Sequence, residues 1–167
     1  YTSGTTTVAE DLYVGYKGTG TVCVEDGSLT AKNAYVTGVS SILEAEAGTI
    51  IVDKATVLGG KISVDAGATA NVSSELILDE GGSLVTAGKT TVQSALVTAG
   101  SSVQVEAGTL TAETIVNDGS MNVAGTLAAD AVSGAEGTIA LTETGKWDIA
   151  GTVVQDSITN DGTITVQ

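Results

Sequence analysis

In 167 residues the chain has no histidine, no arginine, no proline and no phenylalanine, and its single cysteine is Cys23. Without histidine it lacks the commonest general base and the commonest imidazole metal ligand. Without arginine it lacks the two-pronged clamp for carboxylates and phosphates. Most enzyme classes lose their usual machinery at this step. One cysteine forms no intramolecular disulfide. With no imidazole to activate it, Cys23 reads as an idle thiol. Its flanking residues Val22 and Val24 alternate with it, which predicts that it faces outward on a strand. The serines lack a triad for the same reason, and none of Lys17, Lys32, Lys54, Lys61, Lys89 and Lys146 sits in a motif that would lower its pKa.

Positive charge is scarce as well. Six lysines stand against 20 acids, a net charge of -14, and such a surface repels nucleic-acid phosphates and anionic lipid heads. A nucleic-acid partner is therefore not expected. No apolar run approaches the roughly 18 residues that read as a membrane span, so membrane insertion of this segment is not expected either. The chain opens on Tyr1 without a charged-then-apolar leader, which leads to the expectation of a processed product or an excised segment. Aromatics make up 3% of the chain against 42% apolar residues, so the core has to be built from Val, Ile, Leu and Ala and has to be narrow.

What is present is repetition. The stretch from Thr21 to Gly38 recurs from Ser102 to Gly119 with its valine pair and glycines in register. Copies of about 20 residues are too short to bury an apolar face alone. They must stack on one another as a solenoid, and by length the whole counts as one domain. Within a copy, Val103 and Val105 alternate with an outward Gln104, a turn ends in Gly108, Leu110 and Ile115 mark two further short strands, and Asn117-Asp118-Gly119 closes the turn. Glycines are read as supplying positive φ at the corners. Apolar residues alternate in groups of four to five between Gly, Asp and Asn, without the three-and-four spacing of a helix. The absence of proline suits a stack in which nearly every N–H bonds to a neighbouring coil.

The expected fold is thus all-β: a parallel β-solenoid (β-helix) of about eight coils of 17–22 residues with three short strands each, a rod on the order of 35 to 40 Å long. Apolar pairs beginning at Val22, Ile42, Ile62, Leu84, Val103, Met121, Trp147 and Ile164 set the coil steps. The step from Met121 to Trp147 is 26 residues, which makes residues 138–145 an extra segment, a loop or a local widening. Residues 1–20 match the repeat poorly and read as an amino-terminal cap or irregular first coil, with 21–167 as solenoid repeats. The chain ends inside a strand, Ile164 to Gln167, which predicts a rod cut from a longer one or extended by another molecule.

Few residues offer binding chemistry. Tyr13 and Tyr16, in the amino-terminal segment, are the candidate ligand-binding residues, set against a plain capping role. Glu44 with Glu46, and Asp79 with Glu80, are the candidates for the carboxylate pair a glycosidase needs. Without aromatic and basic surroundings they read as solvated acids. Gly59-Gly60-Lys61 and Gly81-Gly82-Ser83 do not continue the calcium-binding nonapeptide, and Asp26, Asp118 and Asp161 precede glycine as turn formers, so no metal and no cofactor is predicted. The Thr-x-Thr pairs at 19/21, 109/111, 142/144 and 163/165 are expected at different places in the coil, which argues against one flat threonine array. Asn71-Val72-Ser73 matches a glycosylation acceptor.

The copies Val105-Glu-Ala-Gly-Thr-Leu-Thr-Ala112, Val123-Ala-Gly-Thr-Leu-Ala128 and Ile149-Ala-Gly-Thr-Val153 resemble the Gly-Thr/Ser-rich coils in passenger domains of bacterial autotransporter adhesins and related secreted haemagglutinins. The likeness is one of repeat style and covers about residues 21–167. It implies a right-handed parallel β-helix exported to the bacterial cell surface, where the partner is a protein or glycan of a host or neighbouring cell. No functional residue carries over, because the repeats of that family have no common site. Three readings follow: a non-enzymatic extracellular adhesin or stalk, a structural subunit that associates end to end into a filament or layer, and, last, a carbohydrate-active β-helix enzyme.

Overall fold

A computed structural model describes residues 2–167, and among these there is no helix. Apart from one isolated antiparallel bridge between Thr37 and Gly59, the strand pairing between coils is parallel, and the strands form one continuous sheet wound into about eight stacked coils. The central coils show how sequence makes the shape. Ser102–Val105 is a short strand, and Glu106 to Gly108 form a corner. Thr109–Asn117 is a longer strand that bends at Glu113, the residue left out of the pairing on both sides. Alternation changes phase at the bend: Leu110 and Ala112 point inward before it, Ile115 and Asn117 after it, and Glu113 and Thr114 both point out. The three expected strands are thus three faces, with the second and third joined through a polar residue. Asp53, Gln93 and Asp130 make the same bend in other coils.

In-register stacking carries each inward position into a ladder. The first face stacks Leu43, Ile62, Leu84, Val103, Met121 and Ile139; the second stacks Ile50, Ala70, Thr90, Leu110, Leu127 and Trp147. On the third face Ala55, Leu76, Ala95, Ile115 and Val132 do the same. The expected interior residues Val103, Val105, Leu110, Ile115, Met121, Val123, Leu127 and Val132 are all buried. Two threonines enter this interior, and Thr90 donates its hydroxyl hydrogen to Thr86 at 3.0 Å, which partners both polar groups.

Two expectations change. Residues 138–145 are not extra: Thr138–Leu141 is the first-face strand of its coil and lies in register on Ser120–Val123, with Ile139 on Met121. Trp147 and Ile164 belong to the second face, where they continue the ladder of Leu127, so the step of 26 disappears. The first-face ladder also takes Leu43 in place of Ile42, which faces outward opposite Lys61. Thr2–Val14, in the segment read as a cap or irregular first coil, is a strand paired with Val24 to Val36, with register shifts between Thr2 and Ser3 and between Val8 and Asp11.

The corner glycines have a different reason than expected. Gly15, Gly27, Gly38 and Gly100 do adopt positive φ, but Gly88, Gly108, Gly125, Gly145 and Gly162 do not. At Gly108 a Cβ would overlap the carbonyl oxygen of Gly88, and at Gly125 that of Gly108. Those carbonyls accept the coil-to-coil bonds Thr109 N to Gly88 O (2.8 Å) and Thr126 N to Gly108 O (2.9 Å). Glycine stands there because the coil beneath occupies the side-chain space.

Gly108→Ala is therefore expected to destabilise the chain by roughly 1–3 kcal/mol, an overpacking cost. Gly18→Ala, where a Cβ meets nothing within 4 Å, should be near neutral. Leu110→Asp buries an unpaired charge and should cost several kcal/mol. Urea unfolding of the three variants checks the set; a Gly108→Ala midpoint equal to that of Gly18→Ala contradicts the close approach.

Candidate functional site

Tyr13 and Tyr16 lie together at the amino-terminal end of the third face's outer surface, and the structure adds Tyr35. Parallel pairing sets Tyr13 directly on Tyr35, so their rings stack at 5.0 Å between centroids and 13° between planes. Gly15, at φ 85°, turns the chain so that Tyr16 meets Tyr13 edge-on at 5.5 Å, and Lys17 Nζ lies 5.5 Å from the centre of the Tyr16 ring. Asp11 accepts hydrogen bonds from Tyr13 Oη (3.3 Å) and from Asn33 Nδ2 (2.7 Å). The Tyr13 phenol is held above its ordinary pKa, first by loss of solvent in the stack and then by the Asp11 carboxylate. Tyr13 and Tyr16 remain 51% and 69% exposed and line a shallow cleft of about 230 Å³. Such a cluster offers flat apolar faces with polar rims, suited to stacking on a sugar ring or an aromatic side chain. Tyr35 was legible in one signal only, its place one coil after Tyr13.

A second concavity, about 390 Å³, runs along the bend between the second and third faces, with Ser73, Thr91, Gln93, Thr111, Glu113 and Asp130 around it. It is an open polar groove that arises because the bend residues of successive coils stack. Nothing in the linear sequence marks it, since its residues lie some 20 positions apart.

The carboxylate pairs take local structural places. Glu44 is on the first-face strand and Glu46 at the corner beyond it. Asp79 accepts hydrogen bonds from Thr98 Oγ1 (2.6 Å) and Glu80 N (2.8 Å), and these, Thr98 first, hold its carboxyl below the usual range. Glu80 itself turns through φ 53° and Gly82 N closes back on Asp79 O at 2.8 Å, so the pair builds a tight turn. Asp118 accepts Ala135 N at 2.8 Å and so braces the turn of the following coil. Among the described residues no group of three His, Cys, Asp or Glu side chains is arranged to hold a metal ion.

Two expectations about surface residues are corrected. Cys23 does not face open solvent. It is 4% exposed, lies outside the apolar cluster, and donates toward Glu46 Oε2 at 3.6 Å, so that the carboxylate helps to cover it. Burial first, then the Glu46 hydrogen bond and the nearby charges of Glu44, Glu46 and Glu25, push its thiol up to about 11. The threonines also gather more than the pairs suggested. Thr109/Thr111 and Thr163/Thr165 share the second face's two outward columns with Thr49, Thr69, Thr91 and Thr126, although Thr142 and Thr144 stay at a corner. Lys89 and Lys146 interrupt one column; Ile51, Asn71, Ala128 and Asp148 interrupt the other. The result is a hydroxyl-rich face without an unbroken array. Asn71 of the glycosylation motif sits within it, while Ser73 Oγ lies 3.2 Å from Val52 O and 3.1 Å from Asp53 Oδ1.

The Cys23 thiol should react with iodoacetamide far more slowly in the folded chain than in the denatured one at neutral pH. Because the folded state holds the proton more tightly, its contribution to stability is present below about pH 9 and lost as pH rises through about 11. Equal alkylation rates in the folded and denatured chains would contradict the buried thiol. No family model matches the chain, and no curated protein or solved structure is significantly similar to it.

Proposed function

We propose that the chain is a non-enzymatic adhesin or adhesin stalk, exported to the bacterial cell surface, that presents its outer faces to a protein or glycan of another cell. The observation carrying this reading is the in-register stacking of outward side chains. It repeats hydroxyl groups along the second face at one strand spacing, about 4.8 Å, and places the tyrosine cluster at one end of the rod. Repeated weak contacts on a rigid rod add through effective concentration, which suits adhesion better than a single deep pocket does. Within this reading the tyrosines stack on the ligand and the threonine columns supply hydrogen bonds.

A second reading, end-to-end assembly into an extracellular filament or layer, is favoured by one feature. The strands Ser157–Asn160 and Thr163–Val166 pair on one side only, and Val154, Ile158 and Val166 are exposed there. Unpaired edges recruit further strands.

Immobilised chain screened on glycan and protein arrays is expected to show saturable binding that falls at least about tenfold in Tyr13→Ala/Tyr16→Ala. Binding unchanged in that variant removes the tyrosine cluster from the site. An array without any binder, together with open-ended particle growth that Thr163→Lys/Thr165→Lys suppresses, favours the filament.

A further inference from the structure

The outer surface of the third face carries an apolar stripe that no part of the chain covers among the described residues. One outward column stacks Tyr13, Tyr35, Ile77, Leu96, Val116 and Val154, interrupted only by Thr56 and Ser133. Val116 is 38% and Val154 63% exposed. In the flanking columns Lys54 and Glu75 neutralise each other at 2.7 Å, Asp11 stands at the tyrosine end, and Asp79 and Asp118 sit at the corner, so the stripe itself carries no charge. Depletion of charge at the centre with tyrosine in place is the composition of an interface core.

We propose that this face binds a second copy of the same chain, with the two rods antiparallel about a two-fold axis that passes between Ile77 and Leu96. Three features select this occupant. The face is about 16 Å wide and about 34 Å long, so two copies cover on the order of 1,100 Å² in projection, above the roughly 1,000 Å² that a specific interface needs. Its profile tapers from paired tyrosines at one end to Ser133 and Val154 at the other. An antiparallel copy lays Tyr35 over Ser133 and Thr56 over Val116, whereas parallel copies would press the two tyrosine clusters together and leave the narrow ends apart. Charge agrees, because the two-fold brings exposed Lys17 at one end of the corner opposite exposed Asp156 at the other. A two-fold contact is closed, so it gives a dimer and stops.

Sedimentation equilibrium of the chain tests this. The wild type is expected to be a concentration-dependent, closed monomer–dimer system. Leu96→Glu should raise the dimer dissociation constant at least about tenfold with unchanged circular dichroism, since Leu96 points outward, and Val116→Lys is the second disrupting variant. Lys17→Glu should weaken the dimer several-fold, and Lys17→Glu with Asp156→Lys should restore it. Thr163→Lys/Thr165→Lys, on the coil edge, should leave it intact. A monomer at every concentration, a dimer indifferent to both Leu96→Glu and Val116→Lys, or open-ended growth overturns the proposal. Failure of the double charge reversal to restore the dimer overturns its antiparallel geometry.

Discussion

Apart from a few turn bonds within a coil, each coil exchanges its backbone hydrogen bonds with the coils directly above and below it, in parallel strands, and this ladder governs every other feature of the molecule. A parallel stack repeats each position at about 4.8 Å, so whatever stands at one place in a coil must tolerate its equivalent in the next. Inside, that requires apolar residues of compatible volume, as in the ladder from Leu43 through Met121 to Ile139. At the first corner it favours glycine, because the carbonyl of Gly88 or Gly108 occupies the space a Cβ would fill one coil further on, and Ala68 is the small residue that holds the equivalent place in its own coil. It also leaves no place for proline, and the chain has none.

The same rule writes the outer surface. Columns of threonine on the second face, the stacked pair of Tyr13 and Tyr35, and the apolar stripe through Ile77 and Leu96 are consequences of register acting on ordinary outward residues. The surface is therefore organised in stripes that run along the rod, and function on such a surface is expected to be distributed. The proposed adhesin role draws on the second-face threonines and the tyrosine cluster, and the proposed two-fold contact runs along the third face and shares Tyr13 and Tyr35 with that cluster.

The all-β class, the coil length and the identity of the interior residues from Val103 to Val132 were legible because alternation and glycine spacing are local signals. Register was harder. First-face pairs such as Met121/Val123 and second-face pairs such as Trp147/Ile149 have the same apolar-x-apolar form, so a local pattern does not say which face a pair serves. That ambiguity made residues 138–145 look extra and moved Trp147 by one face. Cys23 failed for a related reason: alternation puts it outward, but outward is not exposed where Glu46 from the next coil closes over the sulfur. Tyr35 and the groove around Gln93 depend on residues about 20 positions apart that only stacking unites.

Register is the claim on which the rest stands, and paired cysteines test it directly in a Cys23→Ser background. The structure sets Asn122 beside Ala140 on neighbouring strands, whereas alignment of the apolar pairs Met121/Val123 and Trp147/Ile149 would set Asn122 beside Asp148. Adjacent parallel strands bring Cα atoms to about 4.8 Å, within the range a disulfide spans. Mild oxidation of Asn122→Cys/Ala140→Cys should form an intramolecular disulfide in the folded chain, while Asn122→Cys/Asp148→Cys should stay reduced. A disulfide in the second pair and none in the first would contradict the stacking described.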